Sequence, residues 1–174
     1  GVLYGKKGLL NSMPPYQGGG DMIETVTLEG TTFKEAPHRF EAGTPAIVEA
    51  IGLGAAIDYV SEVGMDAIAA HETLLLEQAM AKLSAIEGMQ LIGTAPNKVS
   101  VLSFNVEGIH PLDIATVLDR QGVAVRVGQH CAEPLIKAMG YEATVRASFG
   151  MYNTLEEVDK LVAGVEKAKK MFGA

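Results

Sequence analysis

The spacing of apolar residues changes along this sequence, and that change constrains the fold more than any other feature. Between residues 46 and 87, apolar residues recur every three or four positions, which is the spacing of helices. Ile47–Val60 is apolar on most sides, and Asp66–Glu87 is amphipathic. The apolar face of the second stretch consists of Leu76, Met80, Leu83 and Ile86. The pattern predicts two consecutive helices with a domain boundary near Gly64.

The rest of the sequence alternates between strand and helix patterns. A hairpin that turns at Glu29 is predicted from Met22–Leu28 and Thr31–Lys34. After residue 88 the predicted strands and helix are Val99–Val106, Pro111–Gln121 (helix), Val123–Val127 and Ala143–Phe149. A last helix begins at Thr154, which has capping-box spacing to Glu157. Its apolar stripe predicts a face packed on a sheet: Leu155, Val158, Leu161, Val162, Val165 and Met171.

Composition and charge exclude several classes of function. The net charge of −7 argues against a nucleic-acid partner, which needs clustered Lys and Arg. No apolar run approaches the roughly 20 residues of a membrane span. One cysteine among 174 residues excludes an internal disulfide and predicts a cytoplasmic location. The four scattered histidines have no metal-ligand spacing, so no metal site is expected.

Cys131 is the only cysteine, and it lies in a loop that leaves a predicted strand. The thiolate is the nucleophilic form of cysteine, and cationic neighbours such as Arg126 and His130 favour it. A lone cysteine is also often a small buried core residue. Both interpretations stay open, although Gly128 and Pro134 on either side indicate an accessible turn.

Arg126 and Arg146 lie within or beside apolar strands, where a charge needs a partner. A guanidinium pairs bidentately with a carboxylate. The carboxylate could belong to a substrate or to an internal salt bridge, and the sequence leaves both open. Gly18–Gly20 is a weak phosphate-binding signal, because the Lys-Ser/Thr of a P-loop does not follow it. Thr44 offers a hydroxyl on a constrained turn.

Taken together, these segments resemble the group II (SufS-type) cysteine desulfurases, which are class V, fold-type I aminotransferase-like enzymes. The matching segments are Leu3–Gly5, Pro14–Gly20, Arg39–Pro45, Gly122–Arg126, Gly128–Pro134, Val145–Ser148 and Met151–Thr154. The block Arg-x-Gly-x-His-Cys-Ala-x-Pro at 126–134 is the most specific, because group I relatives carry their cysteine in a longer, serine-rich loop. The resemblance covers essentially all 174 residues.

The resemblance implies an α/β fold of the type that binds pyridoxal 5'-phosphate (PLP). Residues 1–62 would be the C-terminal end of a large PLP-binding domain. Residues 63–174 would be a small α+β domain in which helices pack on a short sheet. The chain would be the C-terminal part of a longer protein, which agrees with the absence of an initiating Met.

The resemblance also implies a reaction and the residues that perform it. L-Cysteine would be converted to L-alanine, with its sulfur held as a persulfide on Cys131. Arg146 would bind the substrate carboxylate, and Arg126 would support it beside the cysteine loop. Thr44 would contact the PLP phosphate of the opposite subunit in a homodimer. A sulfur-acceptor protein of the Suf system would then receive the sulfur for iron–sulfur cluster assembly.

One departure from the family pattern concerns the cofactor. The family's Schiff-base lysine precedes the strand that begins here, and Lys6 and Lys7 lie past that motif. The chain alone is therefore expected to be colourless and inactive. Gln129, where many relatives have His, is a minor departure. Two other functions stay open, namely a selenocysteine lyase of the same family and a cofactor-free sulfur-carrier or scaffold domain.

Overall fold

The computed structural model describes residues 1–173, which divide into two compact units. The first unit covers residues 1–59, and the second begins at Val60. The elements of the first unit are helix α1 (Lys7–Ser12), strand β1 (Ile23–Val26), strand β2 (Thr31–Phe33), a 3-10 turn (His38–Phe40) and helix α2 (Ile47–Val63), whose last turn belongs to the second unit.

The first unit is built around the predicted hairpin. Val26 lies opposite Thr31, and the Thr27 amide donates a hydrogen bond to the Gly30 carbonyl oxygen at 2.9 Å. These contacts confirm the predicted turn. Met22 and Ala36 are the two buried residues among residues 1–59. This unit therefore has very little core of its own.

Helix α2 is apolar around most of its circumference, as predicted, yet none of its residues is buried. Val48 is 78% exposed and Ile51 is 70% exposed. A helix that is apolar on all sides is normally a buried helix. Helix α2 therefore presents an exposed apolar surface that water solvates poorly.

The described part of the second unit, residues 60–173, contains one four-stranded sheet and four complete helices. Its elements are α3 (Met65–Ser84), β3 (Met89–Ile92), β4 (Val101–Val106), α4 (Pro111–Asp119), β5 (Arg126–Gly128), α5 (Glu133–Ala138), β6 (Thr144–Ser148) and α6 (Leu155–Phe172). The strands are all antiparallel and lie in the order β3-β4-β6-β5. Two short elements, β3 and α5, are not predicted by the sequence patterns.

One face of this sheet forms the core with α3, α4 and α6. Strand β4 alternates as predicted, with Leu102, Phe104 and Val106 buried. Val145 and Ala147 of β6 are buried in the same cluster. The alternate residues of these two strands consequently project from the opposite face of the sheet.

Helix α6 begins with the predicted capping box. The Thr154 hydroxyl accepts a hydrogen bond from the Glu157 amide at 3.3 Å, and the Glu157 carboxylate accepts one from the Thr154 amide at 3.0 Å. The helix packs closely against α3 and α4. Leu155 and Met171 were predicted in its buried stripe but are 44% and 56% exposed, because they lie in its terminal turns.

Strand β5 is shorter than the predicted Val123–Val127. It covers Arg126–Gly128, because β6 pairs with it only along Thr144–Arg146. The predicted fold class, α/β with a short sheet packed by helices, is confirmed. The assignment of residues 1–62 and 63–174 to a large and a small domain stays a prediction. None of the helices within residues 1–173 is long and apolar enough to cross a membrane.

Candidate active site

The face of the sheet opposite the core carries polar side chains in register across three strands. Ser103 of β4 pairs with Arg146 of β6, and Arg146 pairs with Arg126 of β5. Residues directly opposite each other on antiparallel strands point to the same face, with Cβ atoms about 4.5–5.5 Å apart. The strand register therefore brings the two predicted arginines together.

Neither arginine has an acidic partner within residues 1–173. The salt bridges there all join a lysine to a carboxylate. Arg146 Nε is buried without a hydrogen-bond partner. Like charges directly opposite each other on neighbouring strands are destabilising, so an anion bound between them would stabilise the pair. In the described residues, the alternative of an internal salt bridge is wrong.

A tight turn between β5 and α5 presents Cys131. The Ala132 amide donates to the Gln129 carbonyl oxygen at 2.8 Å, which closes the turn over its two central residues. His130 and Cys131 occupy these positions with φ values of 54° and 60°. Positive φ costs a residue with a Cβ about 1–3 kcal/mol, and such strain often occurs at functional sites. Contacts with the surrounding structure keep these two residues at positive φ, although residues with a Cβ favour negative φ.

Cys131 is exposed, so its interpretation as a buried core residue is wrong. Its Sγ accepts a hydrogen bond from Arg126 Nη2 at 3.5 Å. The side chain is therefore accessible and next to a fixed positive charge, as a nucleophile requires.

His130 points from the turn toward β6. Its Nε2 lies 2.8 Å from the Thr144 hydroxyl, and Thr144 is fully buried. Burial lowers the pKa of His130, and the positive charges of Arg146 and Arg126 lower the pKa further, against the opposing effect of a hydrogen bond with the Thr144 backbone. His130 is consequently neutral at pH 7 and adds no third charge to the arginine pair.

Two polar contacts near this face have no counterpart in the sequence analysis. Besides the His130–Thr144 contact, the Asn105 side chain donates from Nδ2 to the Ala143 carbonyl oxygen at 3.0 Å, while its Oδ1 is buried without a partner. Strand alternation places Thr144 on the same face as Arg146, two residues away. That alternation is the one sequence signal that could have indicated Thr144.

Thr44 belongs to the first unit, whereas the site residues described so far belong to the second. It is exposed and follows Gly43, which has a φ of 84° and donates its amide to the Gly20 carbonyl oxygen at 2.9 Å. A Cβ on Gly19 would lie 3.3 Å from the Gly43 nitrogen. The lack of a side chain at Gly19 thus lets the glycine-rich segment lie close to the backbone at Gly43. Thr44 itself is exposed to solvent.

The chain belongs to the aminotransferase class-V family, whose family profile matches residues 1–161. Among curated relatives, a "Probable cysteine desulfurase" of Streptomyces coelicolor is 50% identical over 175 residues, covering 99% of this chain and 42% of the relative. A cysteine desulfurase of Synechococcus elongatus is 52% identical over 167 residues, covering 96% of this chain and 27% of the relative. The chain thus spans less than half the length of these relatives.

Solved structures agree with the fold expected from the resemblance. The cysteine desulfurase CsdA of Escherichia coli, in an S-sulfonic acid form, superposes with a TM-score of 0.91 at 37% identity, covering 97% of this chain and 42% of that one. An apo cysteine desulfurase of Thermococcus onnurineus gives a TM-score of 0.88 at 41% identity, covering 96% and 42%.

The lysines of the first unit, Lys6, Lys7 and Lys34, are all exposed, and Lys7 contacts Glu35 at 3.0 Å. That the Schiff-base lysine lies outside this chain stays a prediction, and so does the contact of Thr44 with a PLP phosphate. Residues 1–173 also contain no group of three or more His, Cys, Asp or Glu side chains that could hold a metal ion.

Proposed function

We propose that this chain is the sulfur-accepting part of a PLP-dependent L-cysteine desulfurase. The observation that carries the proposal is the position of Cys131, which is exposed on a strained turn with its Sγ 3.5 Å from Arg126 Nη2. The relatives named cysteine desulfurase support the same conclusion.

In the proposed reaction, the Cys131 thiolate attacks the sulfur of L-cysteine. A sulfur–sulfur bond forms, the carbon–sulfur bond of the substrate breaks, and a proton replaces sulfur on that carbon to give L-alanine. Sulfur is transferred without an external oxidant, because Cys131 gains the sulfur while the substrate carbon is reduced. PLP, when bound, supplies the electron sink that makes this bond cleavage accessible.

The two arginines have different roles in this proposal. Arg146 binds the substrate carboxylate, since it has no acidic partner in the described residues and its Nε is unbonded. Arg126 supports the cysteine loop and orients the attacking sulfur through its contact with Sγ. Thr44 would contact the PLP phosphate of the opposite subunit in a homodimer, for which its free, exposed hydroxyl is suitable.

The product persulfide would leave the site by transfer to an acceptor protein. The exposure of Cys131 supports this step, because an acceptor thiol must reach the outer sulfur atom. We propose that the acceptor is a protein of the Suf system and that the sulfur is used for iron–sulfur cluster assembly in the cytoplasm, as the resemblance to SufS-type enzymes implies.

The proposal is tested by measuring L-alanine release in the longest natural form of the protein with PLP added. L-Cysteine should give alanine and a persulfide, and Cys131→Ser should abolish both while leaving PLP content unchanged. Equal or faster turnover of L-selenocysteine, independent of Cys131, would support a selenocysteine lyase instead. A protein that accepts sulfur on Cys131 from another donor but never binds PLP would be a sulfur carrier.

A further inference from the structure

The Thr144 hydroxyl is an unusual feature of the sheet, because it is completely buried. A buried hydroxyl is costly unless it is hydrogen-bonded. Its partner among the described residues is His130 Nε2 at 2.8 Å. This bond spans 14 positions of sequence and joins strand β6 to the turn that carries Cys131.

The direction of this bond depends on the His130 tautomer, and the bond joins the turn to β6 in either case. In the Nδ1–H tautomer, Thr144 donates its hydroxyl proton to Nε2. In the Nε2–H tautomer, the Thr144 oxygen accepts from His130. Nδ1 is buried without a hydrogen-bond partner among the described residues.

The turn needs restraints of this kind. His130 and Cys131 both have positive φ, which residues with a Cβ retain only where the surrounding structure determines it. Backbone bonds hold the turn at its ends, through the Gln129–Ala132 contact and the pairing of Gly128 with Thr144. Of the two central residues, Cys131 is contacted by Arg126 Nη2, and His130 is held to β6 by its contact with Thr144.

We infer that Thr144 and His130 are positioning residues, whose hydrogen bond holds the turn so that Cys131 Sγ lies beside Arg126. The bond orients the nucleophile and does not itself contact the substrate. The effect of this bond on catalysis rests on the proposed function. The geometry of the turn can be tested without any substrate.

The test compares Thr144→Val, which removes the hydroxyl at similar size, with Thr144→Ser, which retains it. Thr116→Val is the matched control, since within residues 1–173 the Thr116 hydroxyl donates to the Leu112 carbonyl oxygen of its own helix at 2.8 Å and to no other residue. The longest natural form of the protein is used with PLP. The kinetic readouts are kcat and KM for L-cysteine and the melting temperature.

Thr144→Val should lower kcat about tenfold to a hundredfold, because a small misplacement of a nucleophile costs that much. KM should stay within about twofold, since substrate binding is left intact. Thr144→Ser should restore kcat, and Thr116→Val should change neither value. Unchanged kcat in Thr144→Val, or equal changes in kcat and KM, would overturn the inference.

Two measurements keep the inference testable if the desulfurase proposal fails. Long-range nitrogen NMR on ¹⁵N-histidine-labelled protein should show His130 as a single neutral tautomer, which Thr144→Val converts to a mixture. Alkylation of Cys131, followed on its peptide, should slow several-fold in the same variant as Sγ leaves Arg126. A mixture of tautomers in the wild type, or unchanged alkylation, would contradict the inference.

A second variant covers the case in which Thr144→Val does not fold. His130→Asn cannot reach Thr144, and Asn tolerates positive φ better than most residues. It should reproduce the loss of kcat. Where both variants fold, combining them should cost no more than either alone, because both remove the same bond. Additive losses would show that the two residues act independently.

Discussion

The two units of the chain differ in how much of their apolar surface they bury. The second unit covers one face of its sheet with three helices, and Phe104, Leu118 and Leu161 are almost fully buried. Residues 1–59 bury only Met22 and Ala36, while the apolar residues of α2 stay exposed. Composition alone does not reveal this difference, because both units are rich in apolar residues.

The comparison separates two kinds of information in one sequence. The second unit encodes a core that is complete within its own residues, and the turn that carries Cys131 is attached to that core through β5, β6 and the His130–Thr144 bond. The first unit encodes surfaces whose apolar area is too large to remain in water without cost. We therefore expect the second unit to fold alone and the first to require other protein.

The largest expected effect is obtained by separating the units. A protein of residues 60–174 should unfold cooperatively with heat or denaturant, since its core is intact. A peptide of residues 1–59 should show no cooperative transition, because it buries too little apolar surface to offset its conformational entropy. The two pieces are compared by following their thermal unfolding with circular dichroism. A cooperative transition in residues 1–59 would contradict the proposed difference between the two units.

Truncation of a single apolar side chain should sharpen the same contrast. Phe104→Ala in residues 60–174 should lower the free energy of unfolding by about 3–5 kcal/mol, because it leaves a cavity in a closed core. Ile51→Ala in the whole chain should change it by about 0.5 kcal/mol or less, since Ile51 is 70% exposed. Urea denaturation measures both. Similar losses at the two positions would mean that α2 is packed in solution.

Loss of the Arg146 guanidinium should affect catalysis more than folding. Arg146→Ala removes a charge-assisted contact worth roughly 2–5 kcal/mol, which corresponds to at least about a tenfold loss in kcat/KM for L-cysteine. Arg146→Lys should restore part of the loss, because lysine lacks the planar fork. PLP content should be unchanged. A lower melting temperature with near-normal activity per PLP-bound subunit would assign Arg146 a structural role instead.

The smallest expected effect is a pH dependence of stability in the second unit. His130 has a folded pKa below its ordinary value of 6.5, so the unfolded chain takes up a proton more readily than the folded one. Stability from this group is complete above pH 6.5 and declines as pH falls below it. His130→Asn should flatten the decline between that pH and about 4.5, the ordinary pKa of a glutamate. Below that pH, Glu157 adds a decline of its own, because its hydrogen bond with Asn153 lowers its pKa in the folded state. An equally steep decline in the variant would exclude His130 as its source.

Local patterns predicted most of the regular structure in the second unit. The capping box at Thr154 and the alternation of β4 are both local signals, and both were confirmed. Strand β3 was not predicted, because its four residues Met89–Ile92 become a strand only through pairing with β4. The three-residue length of β5 is likewise determined by its partner β6.

In the candidate site, too, local sequence patterns predicted only part of what the structure contains. Gly128 and Pro134 indicated an accessible turn at Cys131, and the structure has Cys131 exposed. The pairing of Arg126 with Arg146 depends on strand register across 20 positions, which the residues alone do not specify. The bond between His130 and Thr144 also depends on that register. Residue types predicted the chemistry, while long-range pairing determined the geometry.

The central claim is that Cys131 receives the sulfur of L-cysteine, and a single-turnover experiment tests it most directly. The PLP-loaded protein is mixed with less than one equivalent of L-cysteine carrying a sulfur isotope, quenched by alkylation, digested and analysed by mass spectrometry. The Cys131 peptide should carry one additional labelled sulfur atom, formed together with an equal amount of L-alanine. Labelled sulfur released as free sulfide, with alanine formed and the Cys131 peptide unmodified, would contradict the account.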